Sequence, residues 1–152
     1  MIRILFGVLF LVFLGACNMK KEVDVKTKSS VADPMSLLST AKKKILSSPR
    51  YILIDCPDSV GRMIPATERI CFAGTGEAEQ FIDFFTPDIA KLGSGKVYWN
   101  RDSGLWLAKF DLNESTSDMV VGITMKGDSN YLPTNPDFEK FDMLINCTVF
   151  IK

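Results

Sequence analysis

Hydrophobic and polar positions along the chain predict two helices before most of the strands. The first helix is predicted to begin at Asp33-Pro34, because aspartate caps free amides and proline tolerates the first helical position. Apolar side chains then follow at helical spacing, at Leu38, Ala41 and Ile45. A second helix is predicted over residues 77–85, with an interruption at Thr86-Pro87 and a further turn over residues 88–92.

Alternation of apolar and polar residues predicts the strands. They are expected near residues 51–56, 69–73, 96–100, 105–112, 119–125 and 141–151. The last segment has the clearest period of two, with Met143, Ile145 and Cys147 on one face and Asp142, Asn146 and Thr148 on the other. Regular βαβ alternation is missing, which favours an α+β fold. We therefore expect an antiparallel sheet of five or six strands with two helices packed on one face.

The first 32 residues do not fit the pattern of a folded domain. Arg3 precedes a run from Ile4 to Ala16 that has no polar side chain, and its thirteen residues fall short of the roughly 20 that cross a bilayer. A charged start followed by a short apolar run is typical of a secretory signal peptide.

The following segment, residues 17–32, is polar and mixed in charge, and we expect a flexible tether with a reach of roughly 20 Å. The alternating residues 22–25 are compatible with a short strand, but no turn partner lies nearby. The tether is therefore the favoured interpretation. The predicted organisation is a signal peptide (1–16), a tether (17–32) and one α+β domain (33–152).

Leu14-Gly15-Ala16-Cys17 resembles the lipobox of bacterial lipoproteins, in which an aliphatic residue and two small residues precede a cysteine. The resemblance implies that residues 1–16 are removed and that Cys17 is acylated, which anchors the domain in a membrane. Two or more acyl chains hold stably. Asn18 stands where an aspartate would favour the inner membrane, so the resemblance implies the periplasmic side of the outer membrane rather than the inner membrane or cell surface. An ordinary signal peptide that happens to contain a cysteine is the alternative.

Charge and composition exclude several kinds of function. The 152 residues carry 18 basic and 18 acidic side chains and no histidine. A neutral chain lacks the positive charge that nucleic-acid binding needs. Without histidine, Ser-His and Cys-His nucleophile pairs and imidazole metal sites are impossible. The cysteine spacing fits no zinc motif and no calcium loop occurs, so we expect neither a metal nor a cofactor.

Gly74-Thr75-Gly76 lies between a predicted strand and a predicted helix, as the start of a dinucleotide-binding fingerprint does. The position of the third glycine is occupied by Glu79, and Glu77 also lies in the first helical turn. Two carboxylates there would repel a pyrophosphate. We therefore interpret the glycines as a tight turn.

Three cysteines remain once Cys17 is assigned to lipid, and the envelope is an oxidising compartment. Cys56 and Cys71 stand at the two ends of one loop, which favours their pairing. Closing about 15 residues would stabilise the domain by roughly 3 kcal/mol. A Cys56–Cys147 bridge is the alternative, because both were expected on inward faces of strands. In the favoured pairing, Cys147 is a buried free thiol.

The strands near residues 96–100 and 105–112 are predicted to form a hairpin around a loop at residues 101–104. If Trp99 lies opposite Leu105, the apolar side chains fall on both faces of the hairpin. Such a hairpin is either covered on both sides or exposes aromatic side chains of the kind enriched at protein interfaces. The candidate binding residues are Tyr98, Trp99, Leu105 and Trp106. Burial in the core is the favoured fate, because most large aromatic side chains are largely buried.

The function expected from the sequence is a non-catalytic lipoprotein of the cell envelope. Its partners would be the membrane, through Cys17, and another envelope protein that it binds, scaffolds or inhibits. The alternative is a small hydrolase that uses paired carboxylates. The nearest pairs in sequence are Asp55 with Asp58 and Asp111 with Glu114, all beside turn residues. Turn chemistry explains those carboxylates, so no catalytic residue is assigned.

Overall fold

The computed structural model describes residues 20–24, 34–57, 68–92, 96–111, 117–127 and 139–151. The predicted signal peptide and Cys17 lie outside these ranges, as does most of the predicted tether. Within them, helix α1 spans Pro34–Leu46 and α2 spans Ala78–Ala90. The strands are β1 (Lys20–Asp24), β2 (Tyr51–Ile54), β3 (Glu68–Gly74), β4 (Lys96–Asp102), β5 (Leu105–Asp111), β6 (Ser117–Met125) and β7 (Met143–Ile151).

The predicted α+β class is confirmed. All strand pairs are antiparallel, and the strands form one sheet in the order β1-β4-β5-β6-β7-β3-β2. Six of them, β2 to β7, come from the region predicted to form the domain. Both helices contribute to one hydrophobic core with the sheet, which leaves a helix-covered face and an outer face.

Strand β1 comes from the segment predicted to be a tether. These five residues instead pair with β4, with Lys20 opposite Asn100 and Asp24 opposite Lys96. The expectation failed for a physical reason: the partner was sought in a local turn, whereas it lies about 80 residues later in the chain. A pattern confined to neighbouring residues does not reveal such a long-range pairing.

The core forms because every second residue of the strands points towards the helices. The helix-covered face includes Phe72, Val97, Trp99, Trp106, Ala108, Phe110, Met119, Val121, Ile123, Met143, Ile145, Cys147 and Val149. A ring contact joins this face to α2, since the centroid of Phe85 on α2 lies 5.8 Å from that of Phe110 on β5. Within α2, Phe85 also stacks on Phe81, with a centroid distance of 5.0 Å. Edge-to-face contact of Phe110 with Trp99, at 6.4 Å, continues this aromatic cluster.

Helix α2 continues through Pro87 without the interruption predicted at Thr86-Pro87, and the further turn predicted beyond it is part of the same helix up to Ala90. Proline removes one helical hydrogen bond and therefore argues for a break. Here burial on both sides of the proline outweighs that loss, because Phe85 and Ile89 are both buried in the core. Thr86 is buried too, and its hydroxyl accepts a hydrogen bond of 3.0 Å from Trp99 Nε1.

The β4–β5 hairpin has a shorter turn than predicted. Only Ser103 and Gly104 separate the strands, and both have positive φ (50° and 81°), as a two-residue type I′ turn requires. Trp99 consequently lies opposite Ala108, not Leu105. The observed partner of Trp99 on β5 is three residues away from the predicted one. Because successive residues of a strand point to opposite faces, this odd displacement moves every β5 side chain to the face opposite to the predicted one.

Candidate functional site

The four predicted binding residues divide between the two faces of the hairpin. Trp99 and Trp106 are only 0% and 2% exposed, and both belong to the core. Burial, the favoured fate, is therefore confirmed for both tryptophans, because the register turns both indoles towards the helices. As candidate binding residues, Trp99 and Trp106 are wrong. Tyr98 is 45% exposed and Leu105 is partly exposed on the outer face.

Tyr98, Leu105 and Leu107 form what we call the outer patch. Leu107 is 38% exposed and lies opposite Asn100 on β4. Tyr98 is two residues from Asn100 on the same face, so Tyr98 and Leu107 are diagonal neighbours, at about 7–8 Å. Leu107 was not among the predicted candidates, because its exposure next to Tyr98 depends on the observed register of the hairpin.

Gly122 borders the outer patch, and because it has no side chain, it leaves space beside Leu107. It lies opposite Leu107 on one side and Asn146 on the other. A Cβ added to Gly122 would stand 2.6 Å from Asn146 Nδ2, so the Asn146 amide occupies the space above the glycine. The patch therefore lies beside a polar amide.

Charged groups border the outer patch on its other side. Lys109 Nζ lies 2.7 Å from Asp111 Oδ1 and 3.1 Å from Asp118 Oδ2. Hydrogen bonds to Asp111 and then Asp118 raise the pKa of Lys109. Asp118 is largely buried, and the ammonium offsets the cost of burying its charge.

Each carboxylate pair considered for hydrolysis has one member outside the described ranges, Asp58 in one pair and Glu114 in the other. Asp111 contacts Lys109. The part of the chain that the structure describes also contains no group of three or more side chains able to hold a metal.

The Cys56–Cys71 disulfide is confirmed, with a Cα–Cα distance of 5.1 Å. Cys71 lies opposite Asn146, so it belongs to the outer face, whereas the neighbouring Cys147 points into the core. The two cysteines are thus on opposite faces of the sheet. The alternative bridge through Cys147 is not formed, and burial raises the pKa of the Cys147 thiol.

A cavity of about 470 Å³ lies beside the disulfide, where β2 ends and β3 continues. Its lining combines apolar side chains with charged ones: Lys42, Leu53, Ile54, Asp55, Arg69 and Ile70. Leu53, 46% exposed, is the most exposed large apolar side chain among those measured. The Arg69 Nε donates to Thr148 Oγ1 at 3.0 Å, which orders one wall of this cavity.

A second concavity, which we call the end cleft, has a volume of about 420 Å³. It is lined by Glu77, Ala78, Glu79, Arg101, Trp106, Met125, Lys126 and Asp142. Arg101 lies over the Trp106 ring at 5.7 Å from its centroid. Sequence analysis placed Arg101 in a loop and did not associate it with Lys126 or Asp142, because their proximity depends on the order of the strands.

The predicted tight turn at Gly74–Gly76 borders the end cleft. Gly76 has a φ of +103°, a conformation that favours glycine. Its N–H donates a 2.8 Å hydrogen bond to Asp142 Oδ2, which joins the turn to the start of β7. The glycines therefore serve local geometry here.

Comparison with protein-family models, with curated proteins and with solved structures found no match. Neither described helix has the length and apolar character needed to cross a bilayer.

Proposed function

We propose that this protein is a non-catalytic lipoprotein of the bacterial cell envelope that binds another envelope protein. Acyl chains on Cys17 attach it to the membrane, on the periplasmic side of the outer membrane. The sequence Leu14-Gly15-Ala16-Cys17 supports the anchor. The outer patch supports protein binding.

The outer patch is the single observation that carries the binding proposal. Tyr98 and Leu107 are both more than a third exposed, on strands whose other face lies in the core. A surface fixed in this way loses little conformational freedom when a partner binds. Tyrosine is also enriched among the residues that dominate binding energy.

The state of the carboxylates favours binding over hydrolysis. Asp111 and Asp118 contact Lys109, Asp88 contacts Lys44 and Lys91, and Asp142 accepts the Gly76 N–H. A carboxylate that contacts a cation or an amide is engaged in a structural interaction, whereas a general acid or base must face the reacting group of a substrate.

Site-specific photo-crosslinking in intact cells tests the binding surface. A benzophenone amino acid at Tyr98 should give one discrete crosslinked product. The same group at Leu46 is the control, because Leu46 is also an exposed apolar residue, at 42%, but lies on α1. Leu107→Ala should reduce the product from position 98. Equal crosslinking at both positions would reject the outer patch.

The anchor has its own test. Intact mass of the membrane-extracted protein should show the loss of residues 1–16 and the added mass of acyl chains. Cys17→Ser should abolish both changes and release the protein from membranes. Unchanged processing and attachment of this variant would reject lipidation at Cys17.

A further inference from the structure

The position of β1 limits the distance between the proposed lipid anchor and the folded sheet. Only Asn18 and Met19 separate Cys17 from Lys20, the first residue of β1. A residue spans at most about 3.6 Å, so the Cα atoms of Cys17 and Lys20 are within about 11 Å of each other along any path. The reach of roughly 20 Å expected from a free tether therefore does not apply.

The register of β1 identifies which end of the sheet is close to the anchor. Lys20 pairs with Asn100, so it lies at the end of the sheet that carries the Ser103–Gly104 turn. We call this the turn end. The antiparallel order brings the last residues of β6, the first residues of β7 and the start of α2 to the same end. The end cleft opens there, between these elements.

We propose that the turn end rests on the bilayer surface, with Arg101, Lys126 and Lys140 against the phosphates of lipid headgroups. This inference depends on the proposed anchor at Cys17. Arg101 lies on β4, next to β1, and Lys126 and Lys140 lie at the same end of the sheet, roughly 14–19 Å across it from β1. If this end rests on the bilayer, each cation is within the Debye length of about 8 Å from the headgroups beneath it. The opposite end of β5 is roughly 20 Å further from the membrane.

The charges of the turn end favour a zwitterionic headgroup. Arg101 and Lys126 line the end cleft together with three carboxylates, Glu77, Glu79 and Asp142. This mixed lining carries no net positive charge, so it offers an anionic membrane no general attraction. Phosphoethanolamine matches it, because its phosphate suits the two cations and its ammonium suits the carboxylates.

An amphipathic pair at the turn end also suits a headgroup layer. Lys140 is exposed, and its Nζ lies 5.2 Å from the centroid of the Phe141 ring. Phe141 is partly exposed beneath it. An aromatic ring below an ammonium presents an apolar body and a charged tip, as side chains at membrane interfaces do.

Depth measurements on the full chain, lipidated in cells and reconstituted in vesicles, test the placement. A fluorophore is attached at Ser103→Cys or, as the matched control, at Asp111→Cys on the far end of the same hairpin. Among the described cysteines, Cys56 and Cys71 are bonded and Cys147 is buried, so the new thiol reacts selectively. A quencher on the lipid headgroups should quench the label at 103 several-fold more than that at 111. Equal quenching would overturn the proposal.

Vesicle flotation separates failure of this inference from failure of the anchor. Protein that does not float lacks the lipid, which contradicts the proposed function. Protein that floats but shows equal quenching at 103 and 111 is anchored without a fixed orientation, which contradicts only the placement.

A longer linker tests whether the charges hold the turn end. A Gly/Ser-rich insertion between Met19 and Lys20 removes the length restraint, and quenching at 103 should fall only in part. Adding Arg101→Gln, Lys126→Gln and Lys140→Gln should then reduce it several-fold. Lys42→Gln, Lys43→Gln and Lys91→Gln form the matched control and should have no effect. If both triple substitutions change the quenching at residue 103 by the same amount, the proposed contacts of Arg101, Lys126 and Lys140 with headgroups are rejected.

The composition of the vesicles identifies the headgroup. The insertion variant should retain its quenching at 103 in phosphatidylethanolamine vesicles. If quenching is retained in phosphatidylglycerol vesicles alone, the attraction is to anionic lipid and the zwitterionic assignment is wrong.

Discussion

The two faces of the sheet are built from alternate residues of the same strands, yet they differ in chemistry. The helix-covered face is largely apolar, and a hydrogen bond from Trp99 Nε1 to the Thr86 hydroxyl is buried beneath the helices. The outer face combines a disulfide, the Lys109 charge network and the exposed outer patch. Adjacent residues of β4 therefore lie in different surroundings: Trp99 is buried in the core, whereas Tyr98 belongs to the outer patch that we propose as the binding surface. Substitutions on the two faces should separate stability from binding.

The largest expected effect is from Trp99→Ala. Removing a fully buried indole should lower the free energy of unfolding by about 3–5 kcal/mol. Tyr98→Ala, one residue away on the outer face, should lower it by about 1 kcal/mol or less. Urea unfolding followed by circular dichroism measures both. Similar losses in the two variants would contradict the distinction between the faces.

Loss of the disulfide tests how far the outer face contributes to stability. The double variant Cys56→Ala/Cys71→Ala should lower the free energy of unfolding by roughly 3 kcal/mol, because the unfolded chain regains the freedom of a loop of about 15 residues. Dithiothreitol should shift the urea midpoint of the original protein in the same direction and leave that of the variant unchanged. A reductant-insensitive midpoint for the original protein would refute this.

Thr86→Val tests the buried polar contact of the helix-covered face. The substitution keeps the side-chain volume but leaves the buried Trp99 N–H without its acceptor, which should cost about 1–3 kcal/mol of unfolding free energy. Thr40→Val on α1 is the control, since the Thr40 hydroxyl bonds to the Ser36 carbonyl at an exposed position. We expect a change of about 0.5 kcal/mol or less there. Equal changes would show that burial of the contact is unimportant.

The smallest change in the free energy of unfolding is expected from Asp88→Asn, a substitution on the exposed side of the helix layer. Asp88 joins the helices through Lys44, at 2.6 Å, and contacts Lys91 at 3.3 Å. Hydrogen bonds from Lys44 and then Lys91 lower the pKa of Asp88. Exposed pairs of this kind contribute about 1 kcal/mol or less.

The pH dependence of that contribution has a definite sign. Because the folded-state pKa of Asp88 is lowered, its stabilisation is fully present above the ordinary aspartate pKa of about 3.9 and is lost as the pH falls further. The original protein and Asp88→Asn should therefore differ near neutral pH and converge in strong acid. A difference that grows on acidification would contradict the ion pair.

The sequence predicts those features of the fold that depend on neighbouring residues. Alternation in residues 143–149 identifies the core face of β7, and the loop between Cys56 and Cys71 identifies the disulfide. Features that depend on distant contacts were missed. The pairing of β1 with β4 and the continuation of α2 through Pro87 are decided by tertiary packing.

The candidate site was predicted only in part, because the hairpin register decides which residues it exposes. Tyr98 and Leu105 were identified, whereas Leu107 was missed and the two tryptophans proved to be core. The difference comes from one turn. Ser103 adopts a positive φ, which non-glycine residues rarely do, so a four-residue loop was the better sequence-based interpretation.

The long sequence separation between β1 and β4 has a consequence for the order of folding. β1 is synthesised early, but its partner Asn100 follows Lys20 by about 80 residues. Closing so large a loop is slow relative to forming the β4–β5 hairpin, so we expect β1 to join the sheet late. The cleavage and acylation that we propose at Cys17 would then precede the pairing of β1 with β4.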